Sequence, residues 1–104
     1  MLTEKKKLPK YSVYIVVPTS RTMYGASAME EFLEFDKIFD ETELWGDGGS
    51  GFGETDVSIH TPNWEKTLQK LYMQIKKKKI KNANYIVYKN LENKEREEIK
   101  TGNF

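Results

Sequence analysis

His60 is the only histidine in the chain, and Asp56 precedes it on the same face of the strand-like run Thr55 to His60. A carboxylate sharing a face with an imidazole is the arrangement that orients a general base. A histidine at the end of a strand needs no such role, and that plainer reading is the one adopted. Ser20, Arg21 and Thr22 follow the first apolar run and have the composition of a small anion pocket at a helix start. A turn and a helix cap account for the same three residues, so no catalytic residue and no cofactor is assigned. The chain has no cysteine, which removes disulfides, thiolate zinc sites and cysteine nucleophiles.

The stretch Trp45 to Asp56, WGDGGSGFGETD, holds five of the seven glycines. A phosphate cradle needs such glycines to lead from a strand into a helix, where backbone N–H groups converge on the anion. Here they lead into TDVSIH, an alternating strand pattern, and Asp47, Glu54 and Asp56 would repel an anion. The spacing of those carboxylates also lacks the alternation of a calcium loop, so no metal is assigned. What remains is the tip of a β-hairpin, a glycine-rich connector of roughly eight residues and so longer than usual. Extra length on a compact scaffold is often functional, which makes Phe52 and its acidic neighbours candidate contacts for a partner.

Charge sharpens this reading. The net charge is only +1, yet residues 30 to 56 hold ten carboxylates against one lysine, and residues 76 to 89 hold six lysines and no acid. The expected acidic surface combines Glu30, Glu31, Glu34 and Glu41 on the outer face of a first helix with Glu43, Asp47, Glu54 and Asp56 on the hairpin. Lys76, Lys77, Lys78 and Lys79 close a second helix, where they suit the negative end of its dipole.

The elements that must position these groups follow from periodicity. Met1 to Lys10 reads as a flexible basic arm. Tyr11 to Val17 (YSVYIVV) is a strand closed by Pro18, with apolar groups on both faces, the mark of a central strand. Ala26 to about Asp40 repeats apolar residues at helical spacing, with Phe35 or Asp36 competing for one inward position. Short strands over Glu41 to Trp45 and Thr55 to His60, the latter turning Val57 and Ile59 inward, flank the glycines. Thr61-Pro62 caps a second helix reaching about Lys79, whose stripe is Trp64, Leu68, Leu71, Tyr72 and Ile75. Tyr85 to Lys89 is a last strand, and residues 91–104 are expected to fray or form a short helical turn.

At 104 residues one domain is expected, spanning residues 11–90. The order β, α, β, β, α, β predicts an α+β ferredoxin-like sandwich, a four-stranded antiparallel sheet with two helices on one face. No apolar run is long enough to span a bilayer, no secretory signal opens the chain, and a cytoplasmic address without membrane contact is expected.

Gly51-Phe52-Gly53 resembles part of the longer signature of the RNA-recognition motif family, departing from it at Ser50, Glu54, Thr55 and Val57. Val13-Tyr14-Ile15 resembles the shorter signature. That resemblance implies an open sheet face on which Tyr14, joined by Tyr85 or Tyr88, stacks bases. The lysine run Lys76 to Lys79 separately has the charge to neutralise phosphates. Nucleic acid is therefore the alternative partner. A homodimer through the same face, covering Tyr14, Val16 and Val87, is a third arrangement. The leading expectation is a small non-catalytic protein-binding module of the inhibitor or immunity-protein kind. It docks a basic protein partner through its acidic helix face and glycine hairpin tip, where charge complementarity sets association rate and specificity.

Overall fold

The computed structural model describes residues 9–21, 23–91 and 95–104. Most of the expected basic arm, together with Thr22 of the suggested anion pocket, lies outside these residues. Pro9 and Lys10 belong to the domain, because both of their carbonyls accept hydrogen bonds from Asn90.

Among the described residues five strands form one antiparallel sheet in the order β2-β3-β1-β4-β5. They are β1 (Tyr11–Pro18), β2 (Leu44–Gly51), β3 (Glu54–Thr61), β4 (Asn84–Asn90) and β5 (Arg96–Asn103). Three helices accompany them, α1 (Ala26–Phe32), α2 (Phe35–Ile38) and α3 (Trp64–Lys77). The expectation of a four-stranded ferredoxin-like βαββαβ sandwich with two helices is thus overturned. The segment expected as a frayed or helical tail supplies the fifth strand, and the first helix is two helices.

Each difference has a local cause. β1 is central, and its odd residues Val13, Ile15 and Val17 are fully buried against Ile59 and Val57 of β3 and Tyr85 and Val87 of β4. The helices lie on that face. A continuous helix keeping Met29 and Leu33 inward would turn Asp36 inward with them. Instead Glu34 adopts a left-handed conformation (φ 59°), which re-aims the chain so that Phe35 is fully buried and Asp36 is exposed. The left-handed residue costs roughly 1–2 kcal/mol, and burying a phenylalanine returns a similar or larger amount. Phe35 then packs on Phe39 and Trp45, at ring separations of 4.8 and 5.9 Å.

The glycine stretch is a strand rather than a long tip. β2 runs through it to Gly51, and only Phe52 and Gly53 turn the chain, with φ of 52° and 80°. Two positive φ values are the mark of a type I′ hairpin turn, whose twist matches that of the flanking strands. A bulge between Gly46 and Gly49 explains part of the glycine content, because a Cβ at Gly48 would lie 1.9 Å from the Asp56 carbonyl oxygen. The start of α3 also differs from expectation. Asn63, not Thr61-Pro62, is the N-cap, its side chain accepting from the Lys66 N–H at 3.1 Å. No helix among the described residues is long and apolar enough to cross a membrane.

Candidate interaction surfaces

The hairpin turn is held from behind by hydroxyls. Thr55, fully buried, donates to the Met23 carbonyl and lies 2.6 Å from the Ser50 hydroxyl and 3.1 Å from that of Thr19. Ser50 in turn accepts from the Gly25 N–H, and Gly53 accepts from the Thr19 N–H at 2.9 Å. These bonds bind the β2–β3 turn to the β1–α1 connection, so one end of the molecule is a single braced unit. Two aromatic side chains project from it into water. Phe52 is fully exposed, and Tyr24 is 72% exposed. Glu54 is exposed beside Phe52 on the hairpin.

The carboxylates do not form the single acidic side expected. Glu34 sits at the helix break, where its side chain accepts from Gln74 Nε2 and approaches Lys78 and Lys37 at 3.8 and 3.4 Å. These contacts, the Gln74 hydrogen bond foremost, hold its carboxyl below the usual range. Asp40 accepts from the Thr42 hydroxyl and N–H and pairs with Lys66 and Lys70, and the Thr42 hydrogen bonds chiefly lower its pKa. Glu43, expected on the hairpin surface, is 2% exposed and bonded to Thr67 and Lys70. Glu41 lies in the turn before β2 rather than on the helix, and is exposed like Glu31. Glu30 is half-buried, and burial raises its pKa. Asp47 lies on β2, its side chain outside what the structure describes. The reason for this dispersal is α3: Lys66, Lys70 and the following Lys78 are the counter-charges for Glu34 at the helix break and for Asp40 and Glu43 in the turn before β2.

The opposite sheet face carries Ser12, Tyr14 and Val16 of β1 with Asp56, Ser58 and His60 of β3 and Ile86, Tyr88 and Asn90 of β4. Asp56 is a neighbour of Tyr14 on this face. Burial first, and then this neighbour, raise the Tyr14 pKa. Arg96 of β5 stacks over the Tyr88 ring at 4.1 Å. At the other end Ser12 Oγ lies 2.7 Å from His60 Nδ1 and accepts from Asn90 Nδ2 at 3.0 Å. Ser12 is 2% exposed, so this pair is a structural tie and offers no accessible nucleophile. The suggested partnership of Asp56 with His60 gives way to Asp56 with Tyr14 and Ser12 with His60.

Of the parts of the nucleic-acid reading, Tyr88 shares the open face with Tyr14, while Tyr85 and the lysine run do not. Tyr85, expected on the open face beside Tyr14, is opposite Ile15 and points to the helix side, 5% exposed between Tyr72 and Phe104. Val87, expected to be wet, is fully buried. The face that carries Tyr14 presents Glu54, Asp56 and Glu98 against Arg96. Lys76, Lys77 and Lys79 are exposed from the helix side, and Lys78 turns back over the Phe32 ring at 5.1 Å. Among the described residues no three His, Asp or Glu side chains converge as a metal site would require.

Sequence reasoning missed Tyr24 altogether. A lone tyrosine before Gly25 carries no periodic signal, and only the hydroxyl bracing places it beside the hairpin turn. No protein-family model, curated protein or solved structure matches the chain, so this reading rests on the geometry alone.

Proposed function

We propose that this chain is a small non-catalytic protein-binding module whose contact surface is the braced end formed by the β2–β3 turn and the β1–α1 connection. Phe52 and Tyr24 are the apolar anchors, and Glu54 and Glu31 supply the acidic character that suits a partner with a basic surface. One observation carries the reading. Phe52 is a bulky residue held at φ 52° in a turn where asparagine or glycine is favoured, and its ring touches nothing that would repay the strain. Strain of this kind persists at sites where function uses it. Exposed aromatics on a rigid support are the residue types that dominate binding energy at interfaces.

The acids that remain free to act in trans are fewer than the sequence suggests, because Glu34, Asp40 and Glu43 are engaged within the fold. Charge therefore steers the encounter while the aromatic pair holds the complex. The test is affinity capture from extracts of the native host, with nuclease-treated controls, comparing the wild type with Phe52→Asn/Tyr24→Ser. The reading expects a protein partner that survives nuclease treatment and is lost with the variant while its thermal midpoint is not lowered. Equal capture by the variant, or loss of capture on nuclease treatment, sinks it.

A further inference from the structure

The fifth strand widens the sheet beyond its helices. α1 packs chiefly on β2 and β3, and α3 on β1 and β3. α3 reaches the outer strands through Tyr72, whose ring packs on Tyr85 and Phe104 and whose hydroxyl donates to the Asn103 carbonyl at 3.0 Å. β4 and β5 otherwise extend two strand spacings beyond β1. Two spacings are about 10 Å, the diameter of one helix. The place where another helix would complete the layer is a groove of about 610 Å³ between α3 and β5. Trp64, Leu68, Tyr72 and Met73 form its apolar wall, and Met73 is 69% exposed and Tyr72 43%. Leu68 is buried and Tyr72 leans on Tyr85 and Phe104, so the wet part of the stripe is Met73 with part of Tyr72 and Trp64, apolar surface that a helix does not ordinarily leave exposed.

The groove also has a sign. Lys76 on α3 and Lys100 on β5 line it from opposite sides, and neither has a carboxylate within ion-pair distance among the described residues. The other lysines facing the helical layer, Lys66, Lys70 and Lys78, all have partners. Glu65 is the one acid in the lining, at the end of the groove away from Lys76. The groove is too open to enclose a small molecule, so its occupant must bring its own ordered surface.

We propose that this groove receives an acidic amphipathic helix of a partner protein, laid along α3 with its apolar stripe on Trp64, Leu68, Tyr72 and Met73 and its carboxylates on Lys76 and Lys100. From Trp64 to Lys76 α3 rises about 18 Å, which matches roughly three turns of such a helix. The N-terminal arm of this chain, with Lys5, Lys6 and Lys7 against Glu4, has the wrong charge to fill it. The site is separate from the braced hairpin end and does not depend on that proposal.

The probe is a fluorescein-labelled helical peptide of about 16 residues, leucine at i, i+3, i+4 and i+7 and glutamate elsewhere, with a lysine-for-glutamate twin as control. Fluorescence anisotropy reads affinity, and backbone amide shifts of the full chain read location. The expected result is saturable binding of the acidic peptide, with shifts centred on residues 64–76 and 98–102. The lysine twin should bind at least about tenfold more weakly. Lys76→Glu/Lys100→Glu should reverse that preference, and Met73→Glu should weaken the acidic peptide while Phe52→Asn leaves it unchanged. Absence of saturation up to about 1 mM overturns the proposal. So do shifts elsewhere, an unchanged preference in the lysine variant, protection of the outer β5 amides by an extended peptide, or self-association that Met73→Glu dissolves.

Discussion

Glu43 and Lys70 form an ion pair of 2.5 Å in which the carboxylate is almost wholly buried and the ammonium partly so. Thr67 donates to the second carboxylate oxygen, and the Asp40 N–H donates to the first. The turn before β2 is thereby fastened to α3 across 27 residues of sequence. Removing one partner of such a pair strands the other charge. Glu43→Ala is expected to lower stability by about 3 kcal/mol, whereas Glu41→Ala, two residues away and exposed, should stay within about 0.5 kcal/mol. Urea denaturation of the two variants checks the contrast.

Acid should loosen the same region. Asp40 and Glu34 have carboxyls held below their usual values of 3.8 and 4.5, so the folded state binds protons less readily than the unfolded chain. Their contribution is present above those usual values and is lost as pH falls through the folded-state pKa. Glu30 acts in the opposite sense, since its raised pKa gives a contribution present below 4.5 and lost as pH rises. Stability measured between pH 6 and about pH 3 should therefore fall less steeply in Asp40→Asn than in the wild type. Glu30→Gln should steepen the fall.

Phe52→Asn places the favoured Asn-Gly pair in the type I′ turn and relieves a left-handed phenylalanine. Stability should rise by about 0.5–1 kcal/mol, a gain of a few degrees in thermal midpoint. A fall would mean that the ring supports the fold after all, against its complete exposure.

Gly48→Ala and Gly49→Ala separate close packing from mere flexibility in the glycine run. A Cβ at Gly48 meets the Asp56 backbone, while one at Gly49 meets nothing within 4 Å. The first substitution is expected to cost about 3 kcal/mol and to shift amides across the β2–β3 ladder, and the second less than about 1 kcal/mol.

Phe104 seals the end of β5, its ring 5.0 Å from Tyr72 and 5.1 Å from Tyr85, and its N–H donates to the Ala83 carbonyl. Phe104→Ala is expected to cost about 1–3 kcal/mol and to raise hydrogen exchange in β5 before the other strands.

What could be read in the chain alone was whatever local pattern decides. β-branched Val13, Ile15 and Val17 dictate a central strand, Val57 and Ile59 alternate inward, and Leu68, Leu71 and Ile75 mark the buried stripe of α3, because each of these depends on neighbours two to four positions away. Tertiary structure decided the rest. Arg96 to Asn103 has no apolar alternation and becomes a strand because the edge of β4 supplies its hydrogen bonds and Phe104 its anchor. The glycines became strand because β3 lies alongside them, and the helix broke at Glu34 because the core had room for Phe35 and not for Asp36. Acidic residues that look like one surface in a linear count were divided by lysines arriving from α3. Attraction between charges depends on distance in space, and separation along the chain does not set that distance.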